Sequence, residues 1–156
     1  MPTLRGVSKA TNGATVTTSV TCPLPDGVQV GDLLVAGHGM GSSAEVPTFP
    51  AGWTVQRIND ISTVGGTVAW KIAGAAEPAL VVTTSSGRNV TLMVAAFSDP
   101  DPTTPVLGIA AQSSATTATH PSPGLSGLSG EHWEVGFAFD HQPGSQAINT
   151  NWTVPA

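Results

Sequence analysis

The sequence predicts an all-β fold, a β-sandwich that is jelly-roll-like and mostly antiparallel, and three observations carry that expectation. Glycine and proline supply 31 of the 156 residues (18 and 13), and no stretch free of both exceeds 12 residues, so a long helix has no room to form. Charged residues make up 10% of the chain against roughly 25% in an ordinary domain, which removes the Glu, Lys and Arg that helix surfaces use. Short apolar runs rich in β-branched residues alternate with turn signals every eight to twelve residues, the spacing of a sandwich. The length fits one domain over residues 1–156.

The elements follow in order. Ala14 to Val20 is rich in Thr and Val and reads as a strand. Leu24-Pro25-Asp26-Gly27 is a turn, with Pro at its entry. Asp32 to Gly39 is a continuous apolar run, the pattern of a central strand buried on both faces. A loop from Met40 to Gly52 delivers Trp53 to Ile58, where Trp53, Val55 and Arg57 share a face by the two-residue period. Gly65-Gly66 is a hairpin-turn signal, and Thr67 to Ile72 places Val68, Trp70 and Ile72 on one side. Ala73 to Pro78 is a connector, and Ala79 to Thr84 a strand. Ser85-Ser86-Gly87 is expected to turn the chain into Val90 to Phe97, the most apolar strand. Three prolines between Ser98 and Pro105 make a rigid surface loop, because each removes a ladder donor. Val106 to Gln112 is a weaker strand, residues 121–130 are a Gly/Pro/Ser loop, and Trp133 to Phe139 is a strand with every odd position large and apolar.

The span from Val35 to Trp53-Thr54-Val55 is echoed between Val135 and Trp152-Thr153-Val154. The echo suggests two similar halves, of which the second ends before its sheet is complete. An unfinished sheet offers an open edge to another chain.

Bulk numbers exclude several functions. Five Lys and Arg against ten Asp and Glu, a net charge of −5, leave no basic footprint for nucleic acid. No apolar run approaches the ~20 residues of a membrane helix, and Met1 to Arg5 lacks the apolar core of a secretory signal. Synthesis in the cytoplasm without a signal peptide is expected. Cys22 is the single cysteine, so there is no intrachain disulfide, and beside Pro23 it reads as a buried thiol.

Catalysis is not expected. His132 and His141, with Glu131 and Asp140, invite a metal site, but a strand separates the histidines by roughly 30 Å, and adjacent residues on a strand point to opposite faces. No metal and no cofactor is therefore expected. A Ser–His–Asp triad can be drawn from His38, Asp99 and any of fourteen serines, which makes it uninformative, and no Gly-x-Ser-x-Gly elbow is present. Gly37-x-Gly39-x-Gly41 lacks the helix a phosphate loop needs. The acids that paired-carboxylate chemistry would use sit mostly in turns; Asp99 and Asp101, between prolines, punctuate a loop and are candidate interface residues.

Sugar binding is the stronger rival, since sandwich modules stack sugars on exposed aromatics. Trp70 and Trp133 align with apolar neighbours and read as core. Trp53 and Trp152 follow long loops and could stand at a rim, which makes them candidate ligand or interface residues. The other reading of Trp53 is a plug over the end of the sandwich.

Five segments occur in a characteristic order: Val30-Gly31-Asp32-Leu33-Leu34-Val35, Pro50-Ala51-Gly52-Trp53-Thr54, Trp70-Lys71-Ile72-Ala73 ahead of Glu77-Pro78, Ala95-Ala96-Phe97-Ser98, and Asp101 to Pro105. The set resembles a β-sandwich domain of tailed-bacteriophage virion proteins, found in minor tail, tail-fibre and head decoration proteins and in some bacterial surface proteins. The likeness runs from about residue 28 to 106 and more loosely beyond. It implies a structural protein on the virion surface without a common catalytic site. Its implied partners are a major capsid or tail protein and further copies of itself, in a trimer or other ring. Recognition of a host glycan is the alternative.

Overall fold

The computed structural model describes residues 2–13, 15–42, 45–61, 64–110, 125, 132–138 and 147–153. The regular elements among them are strands: β1 (Thr3–Thr11), β2 (Thr17–Cys22), β3 (Leu33–Met40), β4 (Thr54–Ile61), β5 (Val64–Ile72), β6 (Leu80–Arg88), β7 (Val90–Ser98), β8 (His132–Ala138) and β9 (Ala147–Thr153). All pair antiparallel, as a five-stranded sheet in the order β1-β7-β3-β5-β4 and two-stranded sheets β2-β6 and β8-β9.

The two small sheets pack on opposite faces of the large one. Ala36 and Met40 of β3 join Leu92 and Val94 of β7 against Val20, Cys22, Leu80 and Val82 of the β2-β6 sheet. The alternate residues Leu33, Val35, Ala95 and Phe97 pack with Trp133, Val135 and Phe137 of β8. Alternation along a strand sends these two sets to opposite faces. The fold is thus the all-β sandwich expected; among the described residues the paired sheets of a jelly roll are not complete.

β3 and β7 lie side by side in the large sheet, and every residue of both is buried. That is why the sequence reads there as unbroken apolar runs rather than alternation. β5 alternates instead: Gly65, Thr67 and Ala69 are buried beneath one layer, while Val68 and Trp70 are half-buried on the other face. Complete burial of a side chain such as Leu34 or Leu92 contributes about 2 kcal/mol each.

Several boundaries differ from the sequence reading. β1 falls where no strand was expected, because its nine residues TLRGVSKAT are mostly polar and alternate between exposed and half-buried positions, as suits an edge strand. The second strand starts at Thr17 rather than Ala14 and runs to Cys22. Gly65 and Gly66 lie inside β5, paired with Asp60 and Ile58 of β4, and so do not form the hairpin turn. Ser85-Ser86-Gly87 does not reverse the chain: β6 continues to Arg88, and its pairing with β2 jumps from Ser19↔Thr83 to Thr17↔Arg88. The turn residues there form a bulge. Residues 106–110 are not a strand; 111–112 and all of 121–130 except Leu125 lie outside the described residues. The two echoed segments differ in placement, since β3 and β4 flank β5 whereas β8 and β9 pair directly.

Asn12 clamps the two corners where the chain changes sheets. Its amide nitrogen donates to Thr17 Oγ1 at 2.9 Å and the Arg88 carbonyl at 2.6 Å, and its Oδ1 accepts from the Val90 amide at 2.8 Å. Backbone groups that a sheet change would orphan are satisfied by one side chain.

Candidate functional site

Four of the five segments singled out in the sequence, those around Asp32, Trp53, Ala73 and Ala96, meet at one end of the large sheet. Asp32 is 2% exposed. One of its carboxylate oxygens accepts from Arg5 Nε at 2.6 Å and from the Gln29 amide at 2.7 Å. The bulge between Leu4 and Gly6 in β1 lies at Arg5, consistent with bulges re-aiming a side chain. The Asp32 carbonyl accepts from the Ala73 amide at 2.8 Å, and the Ala73 carbonyl accepts from the Gly31 amide at 2.9 Å. Ala73 packs with Leu34 and Ala96, and Leu24, Val28 and Trp53 cover the three.

Trp53 therefore packs against the sandwich core. It enters from Pro50-Ala51-Gly52, where Gly52 adopts a φ of 89°, a left-handed conformation that a side chain would strain. The half-buried indole contacts both the Leu34–Ala73–Ala96 cluster and the larger cluster around Leu92. Its ring centroid is 6.1 Å from Phe49, which stands edge-on to His38 at 6.2 Å. Lys71 donates to Glu77 at 2.7 Å, and the other Glu77 oxygen accepts from the Gly74 amide at 2.9 Å. Burial pushes the Glu77 carboxyl up, but these hydrogen bonds and the ammonium charge outweigh it and set the group below its ordinary value.

A second fastening holds the loop ahead of Trp53. The Glu45 carboxylate accepts from the Ser86 amide at 2.7 Å, Ser86 Oγ at 2.8 Å, Ser85 Oγ at 2.9 Å and Arg88 Nε at 2.9 Å. The Ser86 amide and hydroxyl, then Ser85 and the Arg88 charge, hold its carboxyl down at about 2. Thr48 and Thr83 exchange backbone hydrogen bonds beside it. The Ser85–Ser86 bulge in β6 thus serves as a receptor for Glu45. Nothing in a sequence separated by 40 residues or more signals that pairing.

Asp99 and Asp101 are exposed, with Asp99 at a φ of 49°. Asp101 accepts from the Thr104 amide at 2.9 Å and the Thr103 amide at 2.7 Å, which lowers its carboxyl below the usual range. This is turn chemistry. Trp152 stands opposite Trp133 in the β8-β9 register; its side chain lies outside the described residues. Trp133 is half-buried, with its ring 5.5 Å from Phe97 and its Nε1 donating to the Pro2 carbonyl at 3.0 Å. Of the described candidates, Trp53 packs half-buried against two core clusters, and Asp99 and Asp101 belong to the proline loop.

His38 is wholly buried opposite Thr67. Neither ring nitrogen nor the Thr67 hydroxyl has a hydrogen-bond partner among the described residues, and burial lowers the imidazole from 6.5 to about 4. Cys22 is buried with Ser8 Oγ 3.4 Å away, and burial pushes its thiol up. Among the described residues, no group of three or more His, Cys, Asp and Glu side chains could hold a metal ion; Glu131, Asp140 and His141 lie outside them. Likewise, no described helix is long and apolar enough to cross a membrane.

Sequence reasoning missed Gly37. A Cβ there would overlap the ring of Phe137 in β8, so the central strand carries a notch that the outer hairpin fills. Its sequence signal is a glycine within an apolar strand, which marks close approach of another group. No family model, curated protein or solved structure matches the chain.

Proposed function

We propose that the chain is a non-enzymatic structural protein of a tailed-phage virion, a head decoration or accessory protein or a minor tail protein. It acts through protein–protein contacts at the particle surface. Its partners are the major capsid or tail protein and further copies of itself, with no nucleic acid and no cofactor, and it is made in the host cytoplasm. One observation supports this reading. The motif residues Asp32, Leu34, Trp53, Lys71, Ala73, Glu77 and Ala96 are spent on one another, on Arg5 or on the adjoining backbone, fastening the sheet end. A signature made of scaffold contacts suits a fold kept for shape.

The low charge fits the same reading, because the cores of protein interfaces are depleted in charged groups. Arg5, Lys71 and Arg88 are already paired with Asp32, Glu77 and Glu45. Sedimentation with purified heads and with purified tails tests the proposal, with a glycan array run beside it. Saturable co-sedimentation with either particle supports it. Glycan binding without particle binding replaces it with host adhesion.

A further inference from the structure

We propose that Asn12 is a modification site, an asparagine whose deamidation the folded corner holds off and whose conversion to aspartate or isoaspartate unlocks that corner irreversibly. Asn12-Gly13 is the one Asn-Gly step in the chain. Asparagine is a thermolabile residue, and a following glycine, with no Cβ to hinder its amide, makes it most so. In the reaction the Gly13 nitrogen loses its proton and attacks Asn12 Cγ; the Cγ–Nδ2 bond breaks and Nδ2 leaves as ammonia. Water then opens the cyclic imide, breaking the attacked carbon's bond to the Gly13 nitrogen, which recovers a proton. Addition at Cγ gives aspartate. Addition at the Asn12 carbonyl carbon gives isoaspartate, with the chain running through the side-chain carboxyl.

Both reacting groups are held in the folded chain. The Gly13 amide donates to Thr11 Oγ1 at 3.1 Å. Asn12 Nδ2 spends its hydrogens on Thr17 Oγ1 and the Arg88 carbonyl, and Oδ1 accepts from the Val90 amide. The backbone is pinned too: the Asn12 amide donates to the Val90 carbonyl at 3.3 Å, and the Thr15 amide to the Asn12 carbonyl at 3.1 Å. Cγ cannot swing onto the Gly13 nitrogen without releasing the three bonds of the carboxamide. Those bonds tie Asn12, just past the end of β1, to the first residue of β2, the last of β6 and the first of β7. The product cannot restore them all. A carboxylate only accepts, so an oxygen replaces the donor that stood 2.6 Å from the Arg88 carbonyl oxygen, acceptor against acceptor. The Arg88 guanidinium is already engaged with Glu45, and isoaspartate also adds a backbone atom ahead of β2.

The test incubates the full-length protein at mildly alkaline pH, folded in buffer and unfolded in concentrated guanidinium chloride, and follows Asn12 by peptide mapping with isoaspartate detection. The folded chain should react roughly a hundredfold more slowly, the factor that opening three ordinary hydrogen bonds imposes. Guanidinium below the unfolding midpoint should speed Asn12 deamidation and Val90 amide exchange together. Converted chains, separated by their added charge and returned to buffer, should melt below unconverted chains carried through the same cycle. Asn12→Asp should show the lowered midpoint of the aspartate product; if it does not fold, the lock is shown in its extreme form and the rate comparison still decides protection. Equal rates in the folded and unfolded chains overturn the protection. Converted chains that refold with an unchanged midpoint overturn the lock.

Discussion

Phe137 of β8 lies over Gly37 of β3, its ring where a side chain on the central strand would stand. A missing Cβ thereby registers the β8-β9 layer on the large sheet, with which it shares no strand pairing among the described residues. Gly37→Ala should cost about 1–3 kcal/mol, the usual penalty of overpacking, and Gly37→Val at least as much. Thermal melting measures the loss. A matching change in Trp133 fluorescence would locate it in the β8-β9 layer, because Trp133 shares that layer's contact with the sheet.

Trp53 bridges two core clusters, so Trp53→Ala should destabilise the fold by about 2–4 kcal/mol, near the range for truncating core aromatics. Trp53→Phe should recover most of the loss. Urea denaturation distinguishes this role from a ligand platform, for which Trp53→Ala would leave the midpoint unchanged.

His38 makes the fold acid-sensitive. Its imidazole is lowered to about 4 when folded, so the unfolded chain binds the proton first as pH falls. The neutral buried form contributes full stability above pH 6.5, and that contribution declines between 6.5 and about 4, by about 3 kcal/mol in all. His38→Leu should flatten the pH dependence of the melting midpoint over that window. An unchanged slope would show that His38 is not the group titrating.

Glu45 titrates lower. Its carboxyl is held at about 2 by Ser86, Ser85 and Arg88, so its contribution is complete above pH 4.5 and lost as pH falls from 4.5 towards 2. Glu45→Gln should remove that acid limb and lower the melting midpoint at neutral pH. Limited proteolysis should then cut first between residues 45 and 53, the loop that the carboxylate fastens to β6. Cleavage elsewhere first would count against the latch.

The parts of this fold legible in the sequence are those set by local pattern. Leu33 to Met40 and Val90 to Ser98 announce themselves as central strands because burial on both faces demands unbroken apolar runs. Thr67 to Ile72 announces its two faces by alternation. The polar β1 does not, since its place at the sheet edge is fixed by pairing with β7 rather than by its own pattern. Ser85-Ser86-Gly87 misleads for a similar reason: residues favoured in turns are held in a strand bulge by Glu45, distant in sequence. Trp53 is legible in direction, sharing a face with Val55, but its choice between rim and core depends on Leu34, Ala73 and Ala96 arriving from three other segments. The Gly- and Pro-rich, low-charge character that first identifies an all-β chain does not disclose these long-range fastenings.

The most direct test of the structural role is the protein composition of purified phage particles, read by quantitative mass spectrometry after gradient separation of heads and tails. A structural role predicts this chain in fixed stoichiometry with the major capsid protein or the tail protein, in whichever fraction it belongs to. Its absence from both fractions, with the protein recovered free in the lysate, would contradict it.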